Sequence, residues 1–123
     1  MLDAMLAAIN EVRAAAGLRS YVWNDLVTTA AQQHSDDMAA NRTMSHTGSD
    51  GSDAGDRLER VGFVSSWWAE NIAAGFTDPV AVVRGWMASS GHRRHLLGDF
   101  RYVGVGIATS DQGVQYWTLD LAS

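Results

Sequence analysis

Tyr102-Val103-Gly104-Val105-Gly106-Ile107-Ala108 leaves this chain the fewest options. Val103, Val105 and Ile107 alternate with glycine, a period of two that marks a strand with one apolar face. The other face is bare, so another element can approach the backbone closely there. A second strand-like run, Val114-Gln115-Tyr116-Trp117-Thr118-Leu119, follows, and Ser110-Asp111-Gln112-Gly113 between the two reads as a hairpin turn.

The rest of the chain offers helices to cover such a sheet. Met5, Ile9, Val12 and Ala16 recur at helical spacing and predict a helix over 3–16, stopped by Gly17. Tyr21, Val22 and Trp23 form an apolar link. Asn24 or Asp25 can then cap a helix running to about Asn41, with Leu26, Ala30, His34 and Met38 as its inner stripe. That stripe puts His34 on the apolar face, where it reads as a core histidine hydrogen-bonded to backbone, with a cleft residue as the alternative. From Arg42 to Asp56 the sequence is rich in glycine and serine and reads as a long loop. Its aspartates do not follow the alternating order of a calcium-binding EF-hand loop. Ser52 or Asp53 can cap a short helix through Arg57, Leu58 and Val61 that ends at Gly62. Ser66 to Ala73 is strand-like. Asp78 and Pro79 open another helix, with Val80, Val83, Trp86 and Met87 on its buried side. Ser89-Ser90-Gly91-His92-Arg93-Arg94-His95-Leu96-Leu97 follows as one short helical turn. The sum is one α+β domain, with antiparallel strands late in the chain and helices on both faces.

Composition narrows the function. At 123 residues with 46% apolar content the chain can bury a core as one domain. Its net charge of −5 exerts no general pull on nucleic acid or anionic membrane, although Arg93, Arg94 and Arg101 could form a local positive patch. The absence of cysteine excludes disulfides and thiolate chemistry. No apolar run is long enough to span a membrane. The start, Met1 to Met5, lacks the basic region of a signal peptide.

No G-x-S-x-G elbow, S-x-x-K, H-E-x-x-H, phosphate loop or dinucleotide fingerprint is present. The residues left with chemistry to offer are His46, Glu70, His92 and His95. A neutral imidazole can bind zinc, and a carboxylate can be a third ligand or a base toward metal-bound water. His92 and His95, three apart, share a helix face.

Several stretches occur together in a fixed order. They are Ala30 to Ala39, Ser45-His46-Thr47-Gly48, Arg57, Gly62-Phe63, Glu70-Asn71-Ile72-Ala73, Val83 to Arg93, Val103-Gly104-Val105-Gly106 and Tyr116-Trp117. The ordered set resembles the bacterial branch of the CAP superfamily, the SCP domain of cysteine-rich secretory proteins, antigen 5 and pathogenesis-related class 1 proteins. The resemblance covers nearly the whole chain. It implies a single-domain α-β-α sandwich over 1–123, with a small antiparallel sheet between helices. It also implies an open cleft formed by His46, Glu70, Asn71, Ser89 and His92, in which His46 and His92 could hold a divalent metal, most plausibly zinc. The chain departs from the family at Ala69, where glycine is usual, and at His95, where asparagine is usual and the histidine could be an extra ligand or, as expected here, a bystander that caps a backbone group. It also carries Ser89, where eukaryotic members have a second glutamate.

Three functions follow from the resemblance. The first is a secreted or cell-surface binding module whose cleft takes a small ligand, such as a lipid or sterol, or a loop of a protein partner. The second is a metal-dependent hydrolase or protease with Glu70 as the base. The third is a His/Glu cluster that is purely structural. Family members are mostly secreted, which suggests a leader missing from the sequence as given. Zinc held by two imidazoles should be released below about pH 6, as they protonate.

Overall fold

The computed structural model describes residues 2–123. In chain order the elements are α1 (Leu2–Ala15), β1 (Val22–Trp23), α2 (Asp25–Asn41), α3 (Ala54–Arg60), β2 (Trp68–Ala74), α4 (Pro79–Met87), α5 (Ser90–Leu96), β3 (Tyr102–Thr109) and β4 (Gln115–Ala122). The sheet order is β1-β3-β4-β2, so β2 forms one edge. The three long strands pair antiparallel, as expected. The Tyr21–Trp23 link differs from expectation. Its last two residues pair parallel with Tyr102 and Val103, which makes the sheet mixed. The resulting α-β-α sandwich has α1, α4 and α5 on one face and α2 and α3 on the other.

Strand alternation sorts the side chains between the layers. Val103, Val105, Trp117, Leu119 and Leu121 point into a core shared with Met5 and Ile9 of α1 and with Val82, Val83 and Trp86 of α4. The opposite face is thinner. Gly104 and Gly106 lie under α2, and a Cβ on Gly106 would sit 2.5 Å from Gln32 Cα and 2.6 Å from Ala31 O. One on Gly104 would collide with the backbone of Val27 and Thr28. Two strand residues advance about 6.6 Å and four helical residues about 6.0 Å, so the strand and the helix keep nearly equal step. The bare face is therefore the seat of α2.

The inner stripe of α2 is correspondingly wider than the sequence pattern predicts. It comprises Val27, Ala30, Ala31, His34, Ser35 and Met38, whereas Leu26 is exposed. Small residues dominate because the helix rests on backbone. Gln32 completes the contact. Its side chain donates to Ile107 O at 2.8 Å and accepts from Ile107 N at 3.1 Å, where β1 is too short to pair with β3.

Local signals start and stop the helices. Asn24 caps α2 by accepting from the amides of Leu26 and Val27. Asp53 and Asp56 form a capping box on α3. Asp78 caps α4, with Pro79 as its first residue. Gly62, after α3, takes φ +90°, which favours glycine.

Gly106→Ala should lower stability by at least about 1–3 kcal/mol, because the added methyl meets helix backbone that cannot step aside. Gly91→Ala, with open space around the new Cβ, should change it little. The urea midpoints of the two variants, compared with the parent, check this. An unchanged midpoint in Gly106→Ala would contradict the close seating of α2.

Candidate functional site

Glu70 lies on the edge strand and points to the α2 side, directly across from Asp120 of β4. Its side chain is almost fully buried. Oε2 accepts from Arg57 Nη2 at 2.8 Å, and Oε1 lies 2.9 Å from His46 Nδ1. Arg57 is itself buried, and it also donates to Ser52 O and His46 O. One guanidinium thus fastens α3, the long loop and β2 together.

Burial pushes the Glu70 carboxyl up, but hydrogen bonds from His46 and Asp120 and the Arg57 charge outweigh it and hold the group at about 2. Asp120 goes the other way. Complete burial, reinforced by the neighbouring Glu70 charge, raises it well above the usual carboxylate range. As an anion, Asp120 would have two buried oxygens and no donor facing them. As an acid it can donate to Glu70, so one proton sits between the two carboxyls, on Asp120.

His34 lies on the inner face of α2, as its place in the stripe predicts. Its Nε2–H donates to Ser45 O at 2.7 Å, and burial holds its pKa below the ordinary value. His34 therefore steadies the loop one residue before His46. The His46 ring is more than half exposed. With an ionised carboxylate on Nδ1, that nitrogen carries the hydrogen and Nε2 is left with its lone pair.

The other wall comes from α5. Arg13 of α1 donates to Leu96 O and Gly98 O at 2.9 Å each, and Tyr21 Oη donates to His95 O at 2.7 Å. These donors satisfy carbonyls that a helix end leaves free. Asn71, on the opposite face of β2 from Glu70, donates through Nδ2 to His92 O at 3.1 Å. Its Oδ1 lies 2.8 Å from His95 Nδ1. Burial, together with the nearby positive charge of Arg94, lowers the pKa of His95.

A cleft of about 360 Å³ opens at this edge, lined by His46, Thr47, Asp53, Ala54, Trp68, Ala69, Glu70 and His95. Of the residues predicted for it, His46 and Glu70 line it directly, and Asn71 acts behind it by orienting α5. The His92 ring is half-buried and outside the lining. Ser89 lies at the start of α5, also outside it. His95, expected as a bystander, occupies the wall opposite His46. Arg57, Asp120 and Trp68 carry roles that sequence reasoning did not assign. Asp120 had one signal: the alternation Tyr116, Thr118, Asp120 continues the buried face of a strand that the sequence pattern ended at Leu119.

A family model for the cysteine-rich secretory protein family, CAP, matches residues 6–121. The chain belongs to the CAP family. It is 36% identical over 104 residues to an uncharacterized membrane protein of Bacillus subtilis, YlbC, covering 84% of this chain and 30% of that protein. It is 30% identical over 102 residues to an uncharacterized protein of the same organism, YkwD, covering 82% of this chain and 40% of that protein. The chain thus spans well under half of these relatives. An extracellular protein containing an SCP domain from Bacillus anthracis superposes with TM-score 0.90 at 31% identity, over 98% of this chain and 39% of that one. An outer surface protein from Borrelia burgdorferi superposes with TM-score 0.91, over 99% of this chain and 91% of its own, at 20% identity, a likeness of fold.

The residues of this CAP domain do not fit a three-ligand metal centre. Among the described residues no three His, Asp or Glu side chains converge as metal ligands would. Glu70 is already held by His46, Arg57 and Asp120. What the cleft can offer a divalent ion is the free Nε2 of His46 and a second imidazole from α5, so a bound molecule would have to complete the coordination.

The carboxyl pair makes the stability of this CAP domain depend on pH from two sides. Glu70, lowered from 4.5 to about 2, contributes stability that is present above pH 4.5 and lost as pH falls toward 2. Asp120, raised from 3.8, contributes stability that is complete below 3.8 and lost as pH rises toward its folded value. His34 and His95, with lowered pKa values, act the other way and add stability as pH rises toward 6.5, so the Asp120 contribution is isolated by comparing the wild type with Asp120→Asn, whose amide can donate to Glu70 at any pH. The urea midpoint of the wild type should fall relative to that of Asp120→Asn as pH rises above about 4. A difference between the two midpoints that stays constant with pH would contradict a protonated Asp120.

Proposed function

We propose that this CAP domain is an extracellular binding module whose cleft takes a segment of a peptide or protein partner and carries out no bond cleavage. The observation that carries this reading is the state of Glu70. A general base needs a free oxygen within reach of a proton and a pKa near the working pH. Glu70 has both oxygens engaged and a pKa of about 2. Position 89, where a second glutamate would stand, is Ser89 and lies outside the cleft. The wall is better suited to holding a ligand. It offers two imidazoles with orienting partners, the exposed Trp68 and the Thr47 hydroxyl. An extracellular location is supported by the description of the Bacillus anthracis relative.

Mixed with a casein digest, the protein should shift the amide resonances of His46, Thr47 and His95 while the mass spectrum of the digest stays unchanged. New fragments that disappear in a folded Glu70→Gln variant would replace this reading with hydrolysis. Unshifted resonances would remove peptides as the ligand class.

A second reading rests on the opposite layer. A groove of about 410 Å³ runs between α1 and α4, walled by Ala8, Val12, Ala15, Val80, Val83 and Met87, with Glu11 and Arg84 also in its lining. Its mainly apolar lining suits an acyl chain or a sterol with a polar end. Uptake of a fluorescent fatty acid that Ala8→Trp blocks and His46→Ala leaves intact would place a lipid there. Uptake insensitive to Ala8→Trp would dismiss the groove.

A further inference from the structure

Beside the cleft lies a larger hollow of about 500 Å³ that the proposed function does not use. Asp53, Asp56 and Glu59 stand on its α3 side, and Phe63, Val64 and Trp68 form the rest of its wall. Asp53 and Asp56 each spend one oxygen on the capping box, Oδ1 and Oδ2 respectively. Their other oxygens, and the Glu59 carboxylate, have no hydrogen-bond or ion-pair partner among the described residues. The cations of α3 are committed elsewhere. Arg57 is turned inward to Glu70, and Arg60 pairs with Asp50 at 2.6 Å. Arg101 lies over the Tyr102 ring. The hollow therefore combines three uncompensated acidic groups with two aromatic rings, which is the complement of a cation on an apolar stem.

Trp68 and Asp53 line both this hollow and the His46–Glu70–His95 cleft. Gly55 makes the junction possible, because a Cβ there would lie 2.5 Å from the Trp68 indole nitrogen. The backbone of β2 passes through the same junction. Ser123 N donates to Trp67 O and Gly75 N donates to Gln115 O, so the odd-numbered residues of β2 face β4. In an antiparallel ladder the alternate residues turn their N–H and C=O to the other side, here the open edge. At Ile72 that edge is closed, since its carbonyl accepts from Trp86 Nε1 at 3.1 Å. At Glu70 the backbone meets the His95 ring, and at Trp68 no hydrogen-bond partner covers the edge among the described residues.

We propose that the acidic hollow is a subsite for the lysine or arginine side chain of an extended peptide that pairs with the Trp68 end of β2 and continues into the cleft. Edge pairing gives such a peptide its direction, and alternate side chains then fall on one side about 6.6–6.8 Å apart. One side chain enters the hollow, and the chain beyond it passes His46 and His95. This inference rests on the binding-module reading and adds to it the charge and shape of the ligand.

Fluorescence polarisation of labelled Ala/Thr octapeptides tests it. The peptides carry lysine, norleucine or glutamate at one central position. Lysine should bind about tenfold more tightly than norleucine, the preference shrinking as salt is raised, and glutamate should bind most weakly. Glu59→Lys should abolish the preference for lysine while leaving the norleucine peptide unchanged. Glu59→Gln, an isosteric change at an exposed side chain, should reduce the preference without disturbing the fold. His46→Ala should weaken all three peptides alike. Equal affinity for the three peptides, still dependent on His46, would overturn the subsite and leave the binding cleft standing. Absence of binding by every peptide would overturn it too, and the casein-digest shifts then judge the cleft separately. Spermidine binding as tightly as the lysine peptide would overturn the strand-pairing part, because a free amine would then be sufficient.

Discussion

The interaction on which the site half of this molecule depends is the burial of one carboxylate on an edge strand. A charge taken out of water must be paired and hydrogen-bonded, and leaving Glu70 alone would cost about 3–5 kcal/mol. Its partners come from three places: Arg57 from α3, His46 from the long loop and Asp120 from β4. Of these elements, α3 and the long loop have little apolar core to hold them. Leu58 and the small Ala54 are the buried apolar side chains that α3 contributes. The short helix and the loop sit where they do because Arg57 has to reach Glu70, and its remaining N–H groups then collect Ser52 O and His46 O on the way.

That charge can be buried because the backbone beneath it is already rigid. α2 lies on Gly104 and Gly106 so closely that it cannot slide or rotate without collision. This was legible in the sequence, because alternation with glycine is a statement about backbone approach. The helices with strong caps were legible for a similar reason, since Asn24, Asp53 and Asp78 each do a local job that depends on few neighbours. β1 was not legible. Two residues carry no periodicity, and Val22–Trp23 is a strand only because β3 lies alongside. The shift of the α2 stripe from Leu26 to Val27 has the same origin. A helix lying flat on bare strand backbone buries neighbouring positions on both sides of its midline, and spacing within the helix does not reveal that.

The site was legible in its residue types and less so in its geometry. His46 and Glu70 meet as the resemblance implies. On α5 the sequence offered two histidines three positions apart and no means of choosing between them. The choice is made by long-range bonds. Tyr21 and Arg13 hold the carbonyl end of α5, and Asn71 holds His92 by its carbonyl and His95 by its ring. His92 is thereby engaged through its backbone, and His95 turns its side chain to the cleft. Asp120 escaped notice because a protonated aspartic acid inside a strand looks, in sequence, like an ordinary solvent-facing charge at the end of one.

The way the charges are satisfied also bears on what the cleft can do. Each contact that makes Glu70 tolerable in the interior lowers its basicity, so the stronger the anchor, the weaker the base. The same contacts hold His46 by Nδ1 and leave Nε2 directed away from the carboxylate, and Asn71 does the equivalent for His95. Two oriented imidazoles at the open end of a strand, with an aromatic ring and a patch of unpaired acid beside them, give the cleft polarity and direction. The carboxyl pair therefore offers a substrate no base: Glu70, held at about 2, lies well below the range in which a general base works, and Asp120 is sealed from solvent behind it.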